Sequence, residues 1–416
     1  MASGKISPWA WVPTLYFAEG IPYFIVNVIS VTMFKRLGMS NGDLAMYTSL
    51  LYLPWVIKPL WSPLVDVIRT KRWWILSMQA LVTVAFAALA LSVSPDVFGW
   101  SLVVFYITAF ASATHDIAAD GFYMIALDRT EQSVFVGIRS TFYRIASVFG
   151  QGIIVVLAGL LETRLGNIPR AWSVTLLGSA ALFALITVWH LRFLPKAETA
   201  SEGDRSVSDV LRDFGRSWVT FFRKPGVALA VAFMLLYRLP EALSVKMLTP
   251  FLLDPKDAGG LGLTTAQSGL VYGTVGVIAL TVGGILGGLY AARKGLKKSM
   301  WPMSLSLALP CAVYLFLAAM QPSALWCIYI AVAFDQFGYG FGFTAYMLYM
   351  MQFSEGEFKT SHYAICTAFM ALSMMIPGLF AGWMQEALGY VGFFIVVMIC
   401  CLATIFVTSF ARRRCC

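Results

Sequence analysis

The sequence predicts an all-α, polytopic membrane protein: twelve transmembrane helices in two pseudo-symmetric six-helix bundles. Three observations predict it. The chain is 59% hydrophobic and only 12% charged, with a mean hydropathy of +0.76, outside the range of soluble domains. Its apolar residues gather into stretches of about 20 residues or more, long enough to cross roughly 30 Å of hydrocarbon. The second half of the chain also repeats signals of the first, the mark of an internal duplication.

In order, the spans run from 9 to 33, 43 to 65, 73 to 94, 100 to 127, 134 to 161, 172 to 194, 226 to 253, 265 to 291, 299 to 320, 324 to 351, 363 to 386 and 391 to 410. Trp9 opens a full-length span with no small-residue cleavage site before it, so no cleaved signal peptide is expected. With the N-terminus inside, 20 of the 30 Lys and Arg fall in cytoplasmic segments. Only Lys35, Arg36, Arg164, Arg170 and Lys256 fall outside, and Lys58, Arg139, Arg144, Arg238 and Lys246 lie within spans. This bias predicts that both termini are cytoplasmic. It also accounts for the formal net charge of +9: no basic cluster alternates with exposed aromatics in a soluble domain, and nucleic acid is not expected as a partner.

The hydrophilic stretch 195–225 separates a bundle at 1–194 from one at 226–416. Within it Val207, Val210, Leu211, Phe214, Trp218, Phe221 and Phe222 recur at helical spacing opposite Arg and Asp, predicting an amphipathic helix on the inner membrane surface. The repeat is visible in "LGMSNGDLAMY" from Leu37 against "LGLTTAQSGLVY" from Leu261, and in "SPLVDVIRTKR" from Ser62 against "GLYAARKGLKK" from Gly288. A duplicated six-span unit is the usual construction of a secondary transporter, with its substrate site between the halves near the midplane. The seven cysteines have no metal-ligand spacing, and neither a disulfide nor a metal is expected; the terminal "RRRCC" reads as a positive-inside anchor, with lipidation as a second reading.

The loop after span 2 resembles the GxxxDxxxxRK signature of the major facilitator superfamily, with Asp66, Lys71 and Arg72 in the charged places and Ser62 for the leading Gly. The second copy keeps Gly288, Lys297 and Lys298 but has Ala292 in place of Asp. The resemblance implies a cytoplasmic gate braced by Asp66, Lys71 and Arg72. It further implies that spans 1, 4, 7 and 10 line a central cavity while spans 3, 6, 9 and 12 face lipid.

Ten acidic and basic residues lie inside spans: Glu19, Lys58, Asp116, Asp120, Arg139, Arg144, Arg238, Glu241, Lys246 and Asp335. Seven of these belong to spans 1, 4, 7 and 10. Each costs roughly 2.5 kcal/mol or more at the bilayer centre, so pairing or a wet passage is required. Depth at about 1.5 Å per residue matches Asp120 with Arg139, Asp116 with Arg144 and Glu19 with Lys58, and sets the i, i+3 pair Arg238 and Glu241 level with Asp335. Two clusters, one per half, are expected. A carboxylate beside a cation that can be drawn away is a proton-coupling device, which assigns that role to Asp116, Asp120, Glu19, Glu241 and Asp335. His115 reads as a packing histidine, although His115 and Asp120 also fit the HxxxxD spacing of a membrane acyltransferase. The glycines and prolines of "EGIPY" and "RLPEAL" allow spans 1 and 7 to bend.

"FAEGIPY", "KPLWSPLVD" and "ATHDIAADGF" together resemble the AmpG-type permeases of the peptide and acetyl-coenzyme A transporter family. That resemblance implies proton-driven import of anhydromuropeptides across a bacterial inner membrane, with the proton gradient in place of a cofactor and a monomer as the working unit. Siderophores and acetyl-CoA are alternative anionic substrates. An anionic sugar-peptide needs cations, for which Arg144, Arg139, Lys58, Arg238 and Lys246 are available, and aromatic faces, for which Tyr23, Phe122, Tyr143, Tyr237 and Tyr346 lie near the charges.

Overall fold

In the computed structural model, residues 6–197 and 207–414 are described. The side chains of Asp66, Val207, Val210 and Leu211, and the pair Cys415 and Cys416, lie outside the described residues. Among the described residues the secondary structure is entirely helical. Spans 1 to 6 are Pro8–Arg36, the two-part Asn41–Leu50 and Leu53–Val67, then Lys71–Leu91, Phe98–Ala126, Thr130–Leu165 and Ile168–Phe193. The linker helix Val207–Phe222 follows. Spans 7 to 10 are Val227–Leu253, Thr265–Lys294, Leu296–Met320 and Leu325–Ser354. Spans 11 and 12 form one run, Lys359–Arg414, that turns at Gly389, whose φ of 67° suits a residue without Cβ.

Nine of these helical runs are long and apolar enough to cross a membrane by composition alone among the described residues. Span 2 is not among them because it breaks at Leu51, and span 10 carries Asp335 and Gln336 at its centre. Side chains such as Leu91, Leu185, Ile285 and Phe406 stand well exposed on the helix flanks, as a lipid-facing surface requires. The apolar stretch of span 1 is 83% buried and those of spans 4 and 7 are 56% buried, against 39%, 44% and 50% for spans 3, 6 and 9. The apolar stretches of spans 1, 4 and 7 are thus more enclosed than those of spans 3, 6 and 9.

The sequence repeat is a repeat of helix starts. Gly38 and Gly262 both take positive φ, 91° and 67°. Two residues later Ser40 and Thr264 cap spans 2 and 8, each side chain accepting from the backbone N–H three residues on. Both bends foreseen next to the buried acids are present. Span 1 widens to a π-helical turn at Ile25–Ile29, after Pro22, and span 7 breaks at Tyr237 and Arg238, before Pro240.

The chain divides into two compact units, Met1–Ser30 with Ile57–Phe214, and Val31–Val56 with Gly215–Cys416. The end of span 1 and the start of span 2 thus belong with the second unit, although sequence order places them with the first bundle. The reason is a polar network. Lys35 forms an ion pair with Asp254 at 2.6 Å, and Asn41 Nδ2 donates to Gln385 Oε1 at 2.6 Å and to Asp254 Oδ2 at 3.1 Å. Tyr390 donates to the same Asp254 oxygen at 2.6 Å, and Gly42 N donates to Glu386 at 2.7 Å. The division also falls within the linker helix. Its end buries Phe221 against Phe353 and Phe369, and Lys224 donates to the carbonyls of Phe353 and Glu355 at the end of span 10.

Spans 8 and 10 cross with their backbones in contact. A Cβ on Gly283 would strike the Phe337 carbonyl, and one on Gly340 the Leu280 carbonyl, the small-residue packing that helices use where lipid is the solvent. Gly340→Val is expected to destabilise the protein by about 1–3 kcal/mol, read as a lowered thermal midpoint in detergent. A wild-type midpoint would mean that the crossing is not close-packed.

Candidate functional site

In the first unit, spans 1, 2, 4 and 5 bring five charges together. Lys58 on span 2 forms an ion pair with Asp116 on span 4. One helical turn on, Asp120 accepts from Arg139 of span 5 at 2.9 Å and from the Tyr16 hydroxyl at 3.1 Å. The Arg139 guanidinium also lies over the Tyr16 ring, 4.5 Å from its centroid, and over Tyr123 at 5.1 Å. Glu19 on span 1 lies within hydrogen-bonding reach of Asp116, and its Oε2 is buried with no partner among the described residues. Three carboxyl groups therefore face two cations.

The expected pairing of Asp120 with Arg139 is present. The expected pairing of Asp116 with Arg144 is not: Lys58 takes Asp116, and Arg144 forms no ion pair among the described residues. Counting depth along helices ignores the direction in which a side chain leaves its helix, and span 2 faces span 4 here. His115, one residue before Asp116, points away from this group. Its Nε2 meets Gln79 Nε2 at 3.0 Å, Gln79 Oε1 meets His190 Nδ1 at 3.0 Å, and His190 Nε2 meets Thr14 Oγ1 at 2.9 Å. This buried chain ties spans 1, 3, 4 and 6. His115 and Asp120 are thus held by different partners, and no acyltransferase dyad is formed.

In the second unit Arg238 and Glu241 pair at 2.9 Å as expected from their spacing. Arg238 also donates to the Tyr339 hydroxyl at 2.9 Å and lies 4.8 Å from the Phe343 centroid. Asp335 is not joined to this pair by a hydrogen bond: it accepts from Tyr314 at 2.6 Å and from Gln336 at 3.0 Å. Lys246 stands apart, donating to Thr48 at 3.2 Å.

Among the five aromatics, Phe122 is fully buried against Trp11, and Tyr237 and Tyr346 are fully buried with their hydroxyls donating to the Gly342 and Met234 carbonyls. All three are enclosed in the core, and the Tyr346 ring also lies 5.8 Å from the Arg238 guanidinium. Tyr143 and Tyr23 remain half-buried, Tyr143 beside the Gly20 turn that follows Glu19. Tyr16, Tyr339 and Tyr314, which do contact the charges, escaped sequence reasoning. Tyr16 had a signal, one helical turn before Glu19; Tyr314 had none, since span 9 was expected to face lipid. Of the gate residues, Lys71 is buried beneath Gly121, and Arg72 donates to the Leu191 and Leu194 carbonyls at the end of span 6. A groove of about 510 Å³ between spans 3 and 4, lined by Trp74, Met78, Leu81, Tyr106 and Phe110, is apolar and holds none of the charges.

Helices that are apolar on their flanks and carry paired charges in their interior define an integral membrane transporter of the secondary type. A sequence profile of the Major Facilitator Superfamily matches residues 14–361, and the chain belongs to that superfamily. It is 26% identical over 389 residues to the anhydromuropeptide permease of Escherichia coli (strain K12), covering 92% of this chain and 75% of that protein. It is 24% identical to the putative transporter AmpG 4 of Rickettsia conorii, covering 96% and 95%. In fold it is similar to a bacterial homologue of the lysosomal transporter Spinster, at a TM-score of 0.72, 14% identity and coverage of 99% and 97%. A D-xylose-proton symporter gives a TM-score of 0.70, 13% identity and coverage of 97% and 95%. The relatives are AmpG-like permeases, and the chain is a transporter rather than an enzyme.

Lys58 and Asp116 are half-buried, and breaking one partner of such an ion pair costs more than removing both. Lys58→Met is expected to lower stability by roughly 3–5 kcal/mol, and Lys58→Met with Asp116→Asn to recover most of it. Equal unfolding midpoints for the single and double variants would refute the pairing.

Proposed function

We propose that the protein is a proton-coupled symporter that imports anhydromuropeptides across a bacterial inner membrane by alternating access, as a monomer with both termini cytoplasmic. The observation that carries this reading is the surplus carboxyl group among Glu19, Asp116 and Asp120, set against Lys58 and Arg139 alone. A carboxyl group with no cation of its own in such a site is neutralised by a proton. The site is thus built to carry a proton through a segment that admits no free charge. An incoming carboxylate reaches Arg139 first, since its side chain is 31% exposed. When the substrate takes Arg139 from Asp120, that acid loses its cation, and proton uptake replaces the missing charge. Substrate and proton then move together, with the proton gradient as the only driving force. Glu241 and Asp335 serve the same coupling in the second unit, and Asp66, Lys71 and Arg72 brace the cytoplasmic gate.

The muropeptide assignment rests on similarity to the E. coli permease over 92% of this chain, and on a cation set of Arg139, Arg144, Lys58, Arg238 and Lys246 suited to a multiply anionic solute. Tyr23 and Tyr143 are the aromatics left to meet sugar rings. Uptake into proteoliposomes with an imposed inward proton gradient tests it: muropeptide should accumulate, while ferric siderophore and acetyl-CoA should not. Accumulation of either of the latter in place of muropeptide would reassign the substrate.

Glu19→Gln and Asp116→Asn should each abolish gradient-driven accumulation, by about 100-fold or more, while exchange of labelled for unlabelled substrate across the membrane persists. Undiminished accumulation in both would remove the coupling role. Arg144→Ala should raise KM about tenfold with little change in the maximal rate; an unchanged KM would take Arg144 out of the site.

A further inference from the structure

Lys246 is a buried cation that pairs with no carboxylate among the described residues. It sits on span 7 at 7% exposure. Its Nζ donates to Thr48 Oγ1 at 3.2 Å and lies 5.6 Å from the centroid of the Tyr52 ring. Thr48 spends its own proton on the Leu44 carbonyl at 2.6 Å, so towards Lys246 it only accepts. An ammonium has three donors, which leaves two unused. Next to Thr48 on the same helix, the fully buried Ser49 Oγ has no hydrogen-bond partner among the described residues. Ser49 and Lys246 reach the same spot from two sides: a Cβ on Gly378 would collide with Ser49 Oγ and lie 3.1 Å from Lys246 Cε. One place in the second unit thus gathers unused donors and an uncompensated charge, a costly arrangement when nothing answers it.

We propose that Lys246 and Ser49 form a carboxylate-binding subsite, distinct from the acid–base group on spans 1, 2, 4 and 5. This deepens the anionic-substrate reading above and rests on it. A carboxylate supplies one negative charge and two acceptor oxygens, one for the ammonium and one for the hydroxyl. A neutral sugar hydroxyl would leave the charge unanswered, and a phosphate dianion would exceed what one ammonium neutralises. Thr48 acts as a weak placeholder for the ligand oxygen, and exchange for a charged acceptor gains strength.

Isothermal titration of the purified full-length protein with muropeptide, and with the same muropeptide amidated at its carboxyl groups, tests the subsite. Lys246→Met should weaken binding of the acid by about 10- to 100-fold and leave the amide unchanged. Ser49→Ala should weaken the acid by about 3- to 10-fold, and Lys246→Arg should retain part of the affinity. The thermal midpoint of Lys246→Met should equal or exceed that of the wild type, because an unpaired buried charge has been removed. Wild-type affinity for the acid in Lys246→Met, or equal losses for acid and amide, would overturn the proposal. If muropeptide binds no form of the protein, the substrate assignment falls, and the subsite is judged with acetate. Saturable thermal stabilisation by acetate in the wild type that Lys246→Met lacks supports it, and identical acetate responses overturn it.

Discussion

The contact between Lys58 and Asp116 joins span 2 to span 4 where water is scarce, and much of the first unit is arranged around it. An ionised side chain carried into hydrocarbon must meet an opposite charge or lose its own. That requirement sets which faces of spans 1, 2, 4 and 5 turn towards one another. It draws Arg139 over the Tyr16 ring, and it leaves Glu19 as the group without a cation of its own. Trp11, Leu15, Phe122 and Ala119 pack with Tyr16 in one buried apolar cluster beside this group, which makes each charge dependent on its neighbours.

The second unit answers the same requirement differently. Arg238 and Glu241 neutralise each other within one helical turn, so their cost is met locally. Asp335 is held by neutral donors, Tyr314 and Gln336, and Lys246 by a neutral acceptor. Charges held by dipoles alone are more easily exchanged than charges held by ions.

Much of the fold was legible in the sequence. Apolar length placed the twelve spans to within a few residues, because membrane thickness fixes helix length. The repeated "LGMS" and "LGLT" marked equivalent helix starts, because a left-handed glycine followed by a capping hydroxyl is a local instruction. The i, i+3 pair on span 7 was legible for the same reason. Partners on different helices were harder to read. Lys58 rather than Arg144 meets Asp116 because azimuth, which depends on packing, decides between cations at similar depth. The burial of aromatics was harder to read as well: Phe122, Tyr237 and Tyr346 sit at helical spacing near charges and are enclosed in the core. The union of residues 31–56 with the second unit depends on Asp254, Gln385 and Tyr390, more than 200 positions away.

The row formed by His115, Gln79, His190 and Thr14 carries a consequence for proton movement. Gln79 offers its amide nitrogen to one imidazole and its oxygen to the other, which fixes the tautomer of both rings. A ring whose nitrogens are committed in this way is a poor conductor, since passing a proton along would require the amide between them to rotate in a close-packed interior. The row therefore offers no ready proton path from His115 towards spans 3 and 6.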